Sequence, residues 1–293
     1  MPEGKIMKAL SGFYYVKDKD RVIRCRGRGL FRKKKITPLV GDYVEYQAEN
    51  DGEGYLLDID ERKNELTRPP IANVDQAVLV FSAIEPDFST SLLDRFLILV
   101  ESHHIDPLIC ISKMDLLTDE QTKKIEQLAK QYEKIGYTVL RSSAIWDDGM
   151  ATLTPHLEEK ITVFAGQSGV GKSSILNALR PDLELRTDQI SSSLGRGKHT
   201  TRHVELLSIG SGLVADTPGF SALEFSELEL DELPSCFPEM VHYGENCKFR
   251  GCLHMNEPKC GVKLAVESED IPAYRYKHYQ QFYDEIKSRK PRY

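Results

Sequence analysis

Ile161-Thr162-Val163-Phe164-Ala165-Gly166-Gln167-Ser168-Gly169-Val170-Gly171-Lys172-Ser173-Ser174 decides how the middle of this 293-residue chain is built. An apolar run of strand length meets G-x-x-x-x-G-K-S, and a helical run over 174–179 follows. Strand, loop and helix in that order are the context of a phosphate-binding loop. Gly166, Gly169 and Gly171 let backbone N–H groups turn inward around phosphate oxygens. The helix N-terminus adds partial positive charge. In this reading Lys172 reaches the β- and γ-phosphates and Ser173 offers a hydroxyl to Mg²⁺. Gln167, Ser168, Val170 and Ser174 line the same pocket.

Downstream, Val214-Ala215-Asp216-Thr217-Pro218-Gly219 ends an expected strand in D-x-x-G. Asp216 can bind Mg²⁺ through water, and the Gly219 N–H can bond a γ-phosphate only while that phosphate is present. Between the two motifs runs Gly195-Arg196-Gly197-Lys198-His199-Thr200-Thr201-Arg202-His203. A threonine here can close the Mg²⁺ shell, Thr200 or Thr201, and Thr200 is taken as the candidate; the alternative is a solvated basic loop. Where many such enzymes carry a water-orienting glutamine after D-x-x-G, this chain has Phe220. Hydrolysis should therefore be slow until another group completes the site. His199 is the candidate, against a solvent-facing or RNA-contacting histidine.

Upstream, Ser112-Lys113-Met114-Asp115 follows a strand-like run over 107–112. An aspartate accepts from both N1–H and the exocyclic amine of guanine, a donor pair that adenine lacks. A lysine stem can lie along the base. The pattern resembles the N-K-x-D base selector with Ser112 in place of asparagine. Ser142-Ser143-Ala144 resembles the S-A element that touches the base, so Ser143 and Ala144 join the candidate residues. The motifs thus run base selector, S-A, phosphate loop, switch, D-x-x-G. A Ras-like GTPase has the same cycle opened at another point, and a fold tolerates a moved opening where its termini lie close.

Patterning divides the chain into three parts: 1–68, 69–226 and 227–293. The first part reads as strands over 5–16, 22–31, 41–48 and 55–60, as in a small β-barrel, with Arg68-Pro69-Pro70 as a linker. The second alternates strands (76–83, 107–112, 139–142, 162–166, 212–216) with helices (89–103, 119–136, 172–179), the signature of a doubly wound α/β sheet. The third is Cys/His-rich sequence followed by a helical tail over 271–287.

Net charge is −6, which argues against whole-chain attraction to nucleic acid. The distribution differs: Arg21 to Lys35 holds eight basic side chains and no acid. Arg24, Arg26, Arg28, Arg32, Lys33 and Lys34 on a barrel can neutralise RNA phosphates; a solvated basic hairpin is the alternative. Arg275, Lys277, Lys287, Arg289, Lys290 and Arg292 form a second basic set. Cys247, Cys252, His254 and Cys260 read C-x4-C-x-H-x5-C, three thiolates and an imidazole suited to one tetrahedral structural Zn²⁺. The first residues lack a signal peptide's apolar stretch, and no apolar run spans a bilayer. The expectation is a cytoplasmic protein with reduced thiols and no membrane partner, acting as a monomer.

On these motifs the chain is identified as similar to the RsgA (YjeQ/YloQ) family, over nearly its whole length. The resemblance implies a multidomain α/β protein: an N-terminal OB-fold β-barrel, a circularly permuted Ras-like P-loop GTPase domain and a C-terminal zinc-binding helical domain. It implies GTP hydrolysis to GDP, late in assembly of the small (30S) ribosomal subunit and stimulated by that subunit, with its 16S rRNA as partner. It also points to His199 and to the zinc ligands. Two other readings stand beside it: a nucleotide-gated rRNA-binding module in which hydrolysis is incidental, and an ATP-dependent enzyme sharing only the loop, which Lys113 and Asp115 oppose.

Overall fold

The computed structural model describes residues 1–49, 52–142, 148–179, 204–216, 225 and 228–289, the side chains of residues 30, 32, 34 and 148–150 excepted. These fall into two compact units, each made of two stretches of chain: residues 1–80 with 144–221, and 81–143 with 222–293. Among the described residues no helix is long and apolar enough to cross a membrane.

The first unit opens with a closed barrel of β1 (Glu3–Leu10), β2 (Phe13–Asp18), β3 (Arg21–Gly27), β4 (Tyr43–Ala48) and β5 (Glu53–Ile59), in the order β1-β2-β3-β5-β4. Antiparallel pairing of β4 with β1 closes it, leaving no exposed edge. Ile6, Val16, Ile23, Cys25, Val44, Tyr46 and Leu56 fill the interior. The single strand expected over 5–16 is instead two, hinged at Ser11 and Gly12 with φ of 51° and 81°. The strand expected over 22–31 stops at Gly27, and α1 (Gly29–Lys34) follows. Two glycines weaken the ladder there, and the helical turn buries Phe31 while Lys33 and Lys35 stay in water.

The proline pair is not a linker. Arg68 and Pro69 form the turn of a hairpin between β6 (Glu65–Thr67) and β7 (Pro70–Ala72), and Pro70 opens β7. Leu66 and Ile71 alternate into the core around it, and Ile71 bridges Val40. Pro70 pairs only at the hairpin's end, where a missing N–H costs least.

The α/β part holds β8 (Gln76–Ser82), β9 (Asp106–Ser112), β10 (Thr138–Arg141), β11 (Ile161–Ala165), β12 (Leu206–Ile209) and β13 (Gly212–Ala215), with strand order β10-β9-β8-β11-β13-β12. The β8–β11, β11–β13 and β9–β10 pairs are parallel; β12 runs antiparallel to β13. Every residue of β8 and β11 is buried, as expected of strands covered on both faces. In the first unit α4 (Asp148–Leu157) leads into β11, and α5 (Lys172–Leu179) leaves it. In the second, α2 (Thr90–Ser102) is capped by Ser89, whose hydroxyl accepts from the Leu92 N–H. The next helix, α3 (Asp119–Ile135), starts in a Thr118/Gln121 capping box and stops at left-handed Gly136.

The chain ends in α6 (Pro238–Gly244), α7 (Gly261–Glu267) and α8 (Ala273–Ser288). Its basic set needs correction. Arg275 is wholly buried, and Arg289 pairs with Glu229 at 3.0 Å and donates to the Leu228 carbonyl. Arg275 is therefore closed to an RNA.

Candidate functional site

Burial drives β11 through the sheet and delivers the chain to Gly166. A Cβ at Gly166 would lie 2.1 Å from the Val80 carbonyl oxygen, and φ there is +138°. Only glycine lets the loop pass β8 so closely. Val170 is buried beneath the loop, and Gly171 at φ +97° turns the chain into α5. The first helical residue is Lys172, whose ammonium donates to the Gly166 carbonyl at 2.8 Å and the Gln167 carbonyl at 2.5 Å. Lys172 is 9% exposed, and burial pulls its pKa down to about 8. A positive charge is thus folded into a loop whose backbone already favours anions. Ser173 is half-buried and Ser174 exposed in the first turn of α5; Ser168 and Gly169 are exposed.

Asp216 sits just past β13. Its N–H donates to the Glu205 carbonyl at 3.0 Å, and its Oδ1 accepts from the Glu205 N–H at 2.9 Å. Burial pushes its carboxyl up to about 6, with the Glu205 charge adding and Lys8 opposing. His199, Thr200, Thr201, Gly219 and Phe220, and likewise Ser143 and Ala144, lie outside the described residues.

In the second unit, buried β9 ends at Ser112. The Ser112 carbonyl accepts from the Ala83 N–H at 2.9 Å, and its hydroxyl donates to the Phe81 carbonyl at 3.3 Å. The serine hydroxyl therefore ties β9 to the end of β8. Lys113 takes the left-handed conformation, φ 59° and ψ 33°, and its ammonium donates to the Glu85 carbonyl. The Met114 N–H donates to the Ser142 carbonyl at 2.9 Å, and the Ser142 N–H to the Ile111 carbonyl at 2.8 Å. Between them these bonds set Asp115, exposed, in a 3₁₀ turn over Met114–Leu116.

Cys247, Cys252, His254 and Cys260 converge, their donor atoms all within 4.8 Å of one another. Cys247 and Cys252 lie 3.7 and 3.9 Å from the Cys260 sulfur; His254 Nδ1 lies 3.6 Å from Cys247 and 3.4 Å from Cys260. Metal–ligand bonds of about 2.3 Å to sulfur and 2.0–2.1 Å to nitrogen give tetrahedral edges of roughly 3.5–3.8 Å. The four separations of 3.4–3.9 Å are close to those edges. Its sulfurs are too far apart for disulfides, which need about 2.05 Å. The Gly261 N–H donates to Cys247 Sγ at 3.3 Å, while α8 pins the ligand loop through Tyr276 and Tyr279, whose hydroxyls donate to the His254 and Leu253 carbonyls, each at 2.6 Å. Burial lowers the His254 pKa, which keeps the imidazole neutral as a metal ligand requires.

On the barrel, Arg24 and Arg26 both stand over the Phe13 ring, each 4.9 Å from its centroid. Arg24 also pairs with Glu53, and Arg28 donates to Gln47 at 3.0 Å. All three arginines and Lys33 are exposed. The side chains of Arg32 and Lys34 lie outside the described residues.

A sequence model of the RsgA GTPase matches residues 59–226, and one of the RsgA N-terminal domain matches residues 3–56. The chain belongs to the RsgA family of circularly permuted GTPases. Full-length relatives extend the RsgA match past residue 226. "Small ribosomal subunit biogenesis GTPase RsgA" of Bacillus cytotoxicus is 64% identical over 293 residues, and that of a Geobacillus species 65%, each covering all of both chains. Among solved RsgA structures, YloQ, "a circularly permuted GTPase", is 59% identical with a TM-score of 0.88, covering 100% of this chain and 97% of its own. YjeQ from Thermotoga maritima is 38% identical with a TM-score of 0.87, covering 99% of each chain.

Proposed function

We propose that this chain hydrolyses GTP as a late maturation factor of the small (30S) ribosomal subunit, and that the subunit stimulates the reaction. The observation that carries this reading is the end-to-end 64% identity to a relative named for small ribosomal subunit biogenesis. The phosphate loop supports the chemistry. Lys172 and the N–H groups over residues 166–174 bind the β- and γ-phosphates, and Asp115 with Lys113 selects guanine. Ser173, Thr200 and, through water, Asp216 hold Mg²⁺, which neutralises phosphate charge when bound. The buried carboxyl of Asp216, held up at about 6, suits such a cation, because a nearby positive charge favours its ionised form. The Gly219 N–H senses the γ-phosphate. Since Phe220 cannot orient water, His199 does so when the subunit is bound.

Arg24, Arg26, Arg28, Arg32, Lys33 and Lys34 contact 16S rRNA, and one Zn²⁺ per chain holds residues 247–260 together. The protein works in the cytoplasm as a monomer with three parts, 1–68, 69–226 and 227–293. GTP turnover with and without purified small subunits tests the reading. Stimulation by subunits, lost in His199→Ala with GTP affinity kept, is the expected result. Equal turnover in both conditions would favour a nucleotide-gated rRNA-binding module in which hydrolysis is incidental.

A further inference from the structure

Lys8 and Glu205 are 197 positions apart, yet they face each other in an antiparallel bridge, with Lys8 Nζ 2.6 Å from Glu205 Oε2. Both belong to the first compact unit, as does Asp216. The register of β1 against β2 shifts between Ile6 and Lys8, and a bulge of this kind re-aims a side chain. On the far side of Glu205, the β12–β13 ladder runs up to the Leu206–Ala215 pair. Its next rung is irregular. The Asp216 N–H donates to the Glu205 carbonyl as in any ladder, but the Glu205 N–H donates to the Asp216 carboxylate Oδ1 at 2.9 Å. One residue therefore orients the Asp216 side chain with its backbone and takes its own orientation from Lys8. The Lys8 and Glu205 side chains are 32% and 37% exposed. Ion pairs so exposed add little to stability, so the effect of this one belongs in placement rather than in melting temperature.

We propose that Lys8 is a positioning residue for GTP hydrolysis, fixing the Asp216 carboxylate through Glu205. The inference rests on the reading of Asp216 as a magnesium-shell residue. It ties the barrel to the nucleotide's cation by an ion pair and the two Glu205–Asp216 hydrogen bonds, with no moving part between them.

The test uses the full-length protein with Lys8→Met, Lys8→Arg and Asp216→Asn. In the free protein without nucleotide or metal, Lys8→Met should lower amide-exchange protection at Glu205 by about two- to fivefold, the most that losing an exposed ion pair can give. With GDP bound, calorimetric titration should show the Mg²⁺ needed for half-saturation raised by a similar factor. In subunit-free turnover kcat should fall and KM for GTP should hold. Lys8→Arg should restore all three. Glu205 protection and Mg²⁺ requirement both unchanged in Lys8→Met would overturn the proposal. So would an effect confined to subunit affinity, which is what an RNA phosphate contact at Lys8 would give. If Asp216→Asn leaves the Mg²⁺ requirement unchanged, the underlying reading of Asp216 fails instead.

Discussion

Arg275 and Asp94, 181 positions apart in the chain, meet at 2.5 Å with both side chains closed to solvent. The same guanidinium donates to Glu239 through Nε at 2.7 Å and a terminal nitrogen at 3.1 Å. Asp94 also accepts from the Tyr132 hydroxyl at 2.7 Å and lies 2.6 Å from His278 Nδ1. One buried cation thus holds α2, α6 and α8 of the second unit together.

Removing that cation strands two buried carboxylates. Arg275→Met should cost about 3–5 kcal/mol, the range for breaking a buried pair, and lower the melting temperature by on the order of 10 °C. Adding Asp94→Asn and Glu239→Gln should recover much of the loss, because the penalty lies in the unpaired charges. Calorimetric melting of the single and triple variants checks this. Equal melting of Arg275→Met and the parent would mean that the network contributes no net stability.

The position of Arg275 was legible, though the basic tail drew attention to its charge. It falls in helical phase with Tyr279, Phe282 and Ile286, all buried. An arginine on an apolar stripe is a buried arginine with a partner. The phosphate loop was legible for the opposite reason. Its glycines, lysine and flanking strand each answer a local demand within one short stretch, so spacing alone carries it. The barrel's hairpin at Ser11 and Gly12 did carry a signal, because Ser-Gly is a turn dipeptide, but a two-residue turn between apolar runs is easily read as one long strand. The Glu205–Asp216 and Lys8–Glu205 contacts had no signal in the chain. Register between distant strands depends on how both are packed, not on the residues near either one.

Burial pulls Lys172 from its ordinary 10.5 to about 8. In the free protein it therefore gives up its proton before the unfolded chain does, so its contribution to stability rises with pH between about 8 and 10.5. Nucleotide has the opposite preference, since phosphates favour the ammonium. Above about pH 8, binding must take up a proton, and Kd for GDP should rise by up to about tenfold per pH unit. Below it Kd should be level. Titration with fluorescent GDP from about pH 6.5 to 9.5 reads the profile, and Lys172→Arg, charged throughout, should flatten it. A level wild-type profile across that range would contradict the assignment of Lys172 to the phosphates.

The Cys247, Cys252, His254 and Cys260 cluster predicts one zinc per chain by elemental analysis and none in Cys252→Ser. Structural zinc contributes folding energy directly, several kcal/mol in small sites. The ligand loop borders α7 at Gly261 and is pinned by Tyr276 and Tyr279 of α8. Loss of zinc should accordingly raise hydrogen exchange across Gly261–Glu267 and leave that of β11 unchanged. Full zinc occupancy in Cys252→Ser would remove that residue from the ligand set.

Asp115 gives the sharpest test of nucleotide choice. It is exposed at the end of β9, in a turn fixed by the Met114–Ser142 and Ser142–Ile111 hydrogen bonds. A carboxylate there accepts from two guanine N–H groups. An asparagine in its place would offer one acceptor and one donor, the pattern that xanthine matches with its 2-oxo group and N1–H. Asp115→Asn should weaken GTP by on the order of a hundredfold, because a site built for a hydrogen-bonding pair rejects a mismatch strongly. It should gain xanthosine triphosphate by a comparable factor. Competition binding of the two nucleotides measures both changes at once. Unchanged GTP affinity would place guanine recognition elsewhere, and loss of both nucleotides would mean that the turn itself had been disturbed.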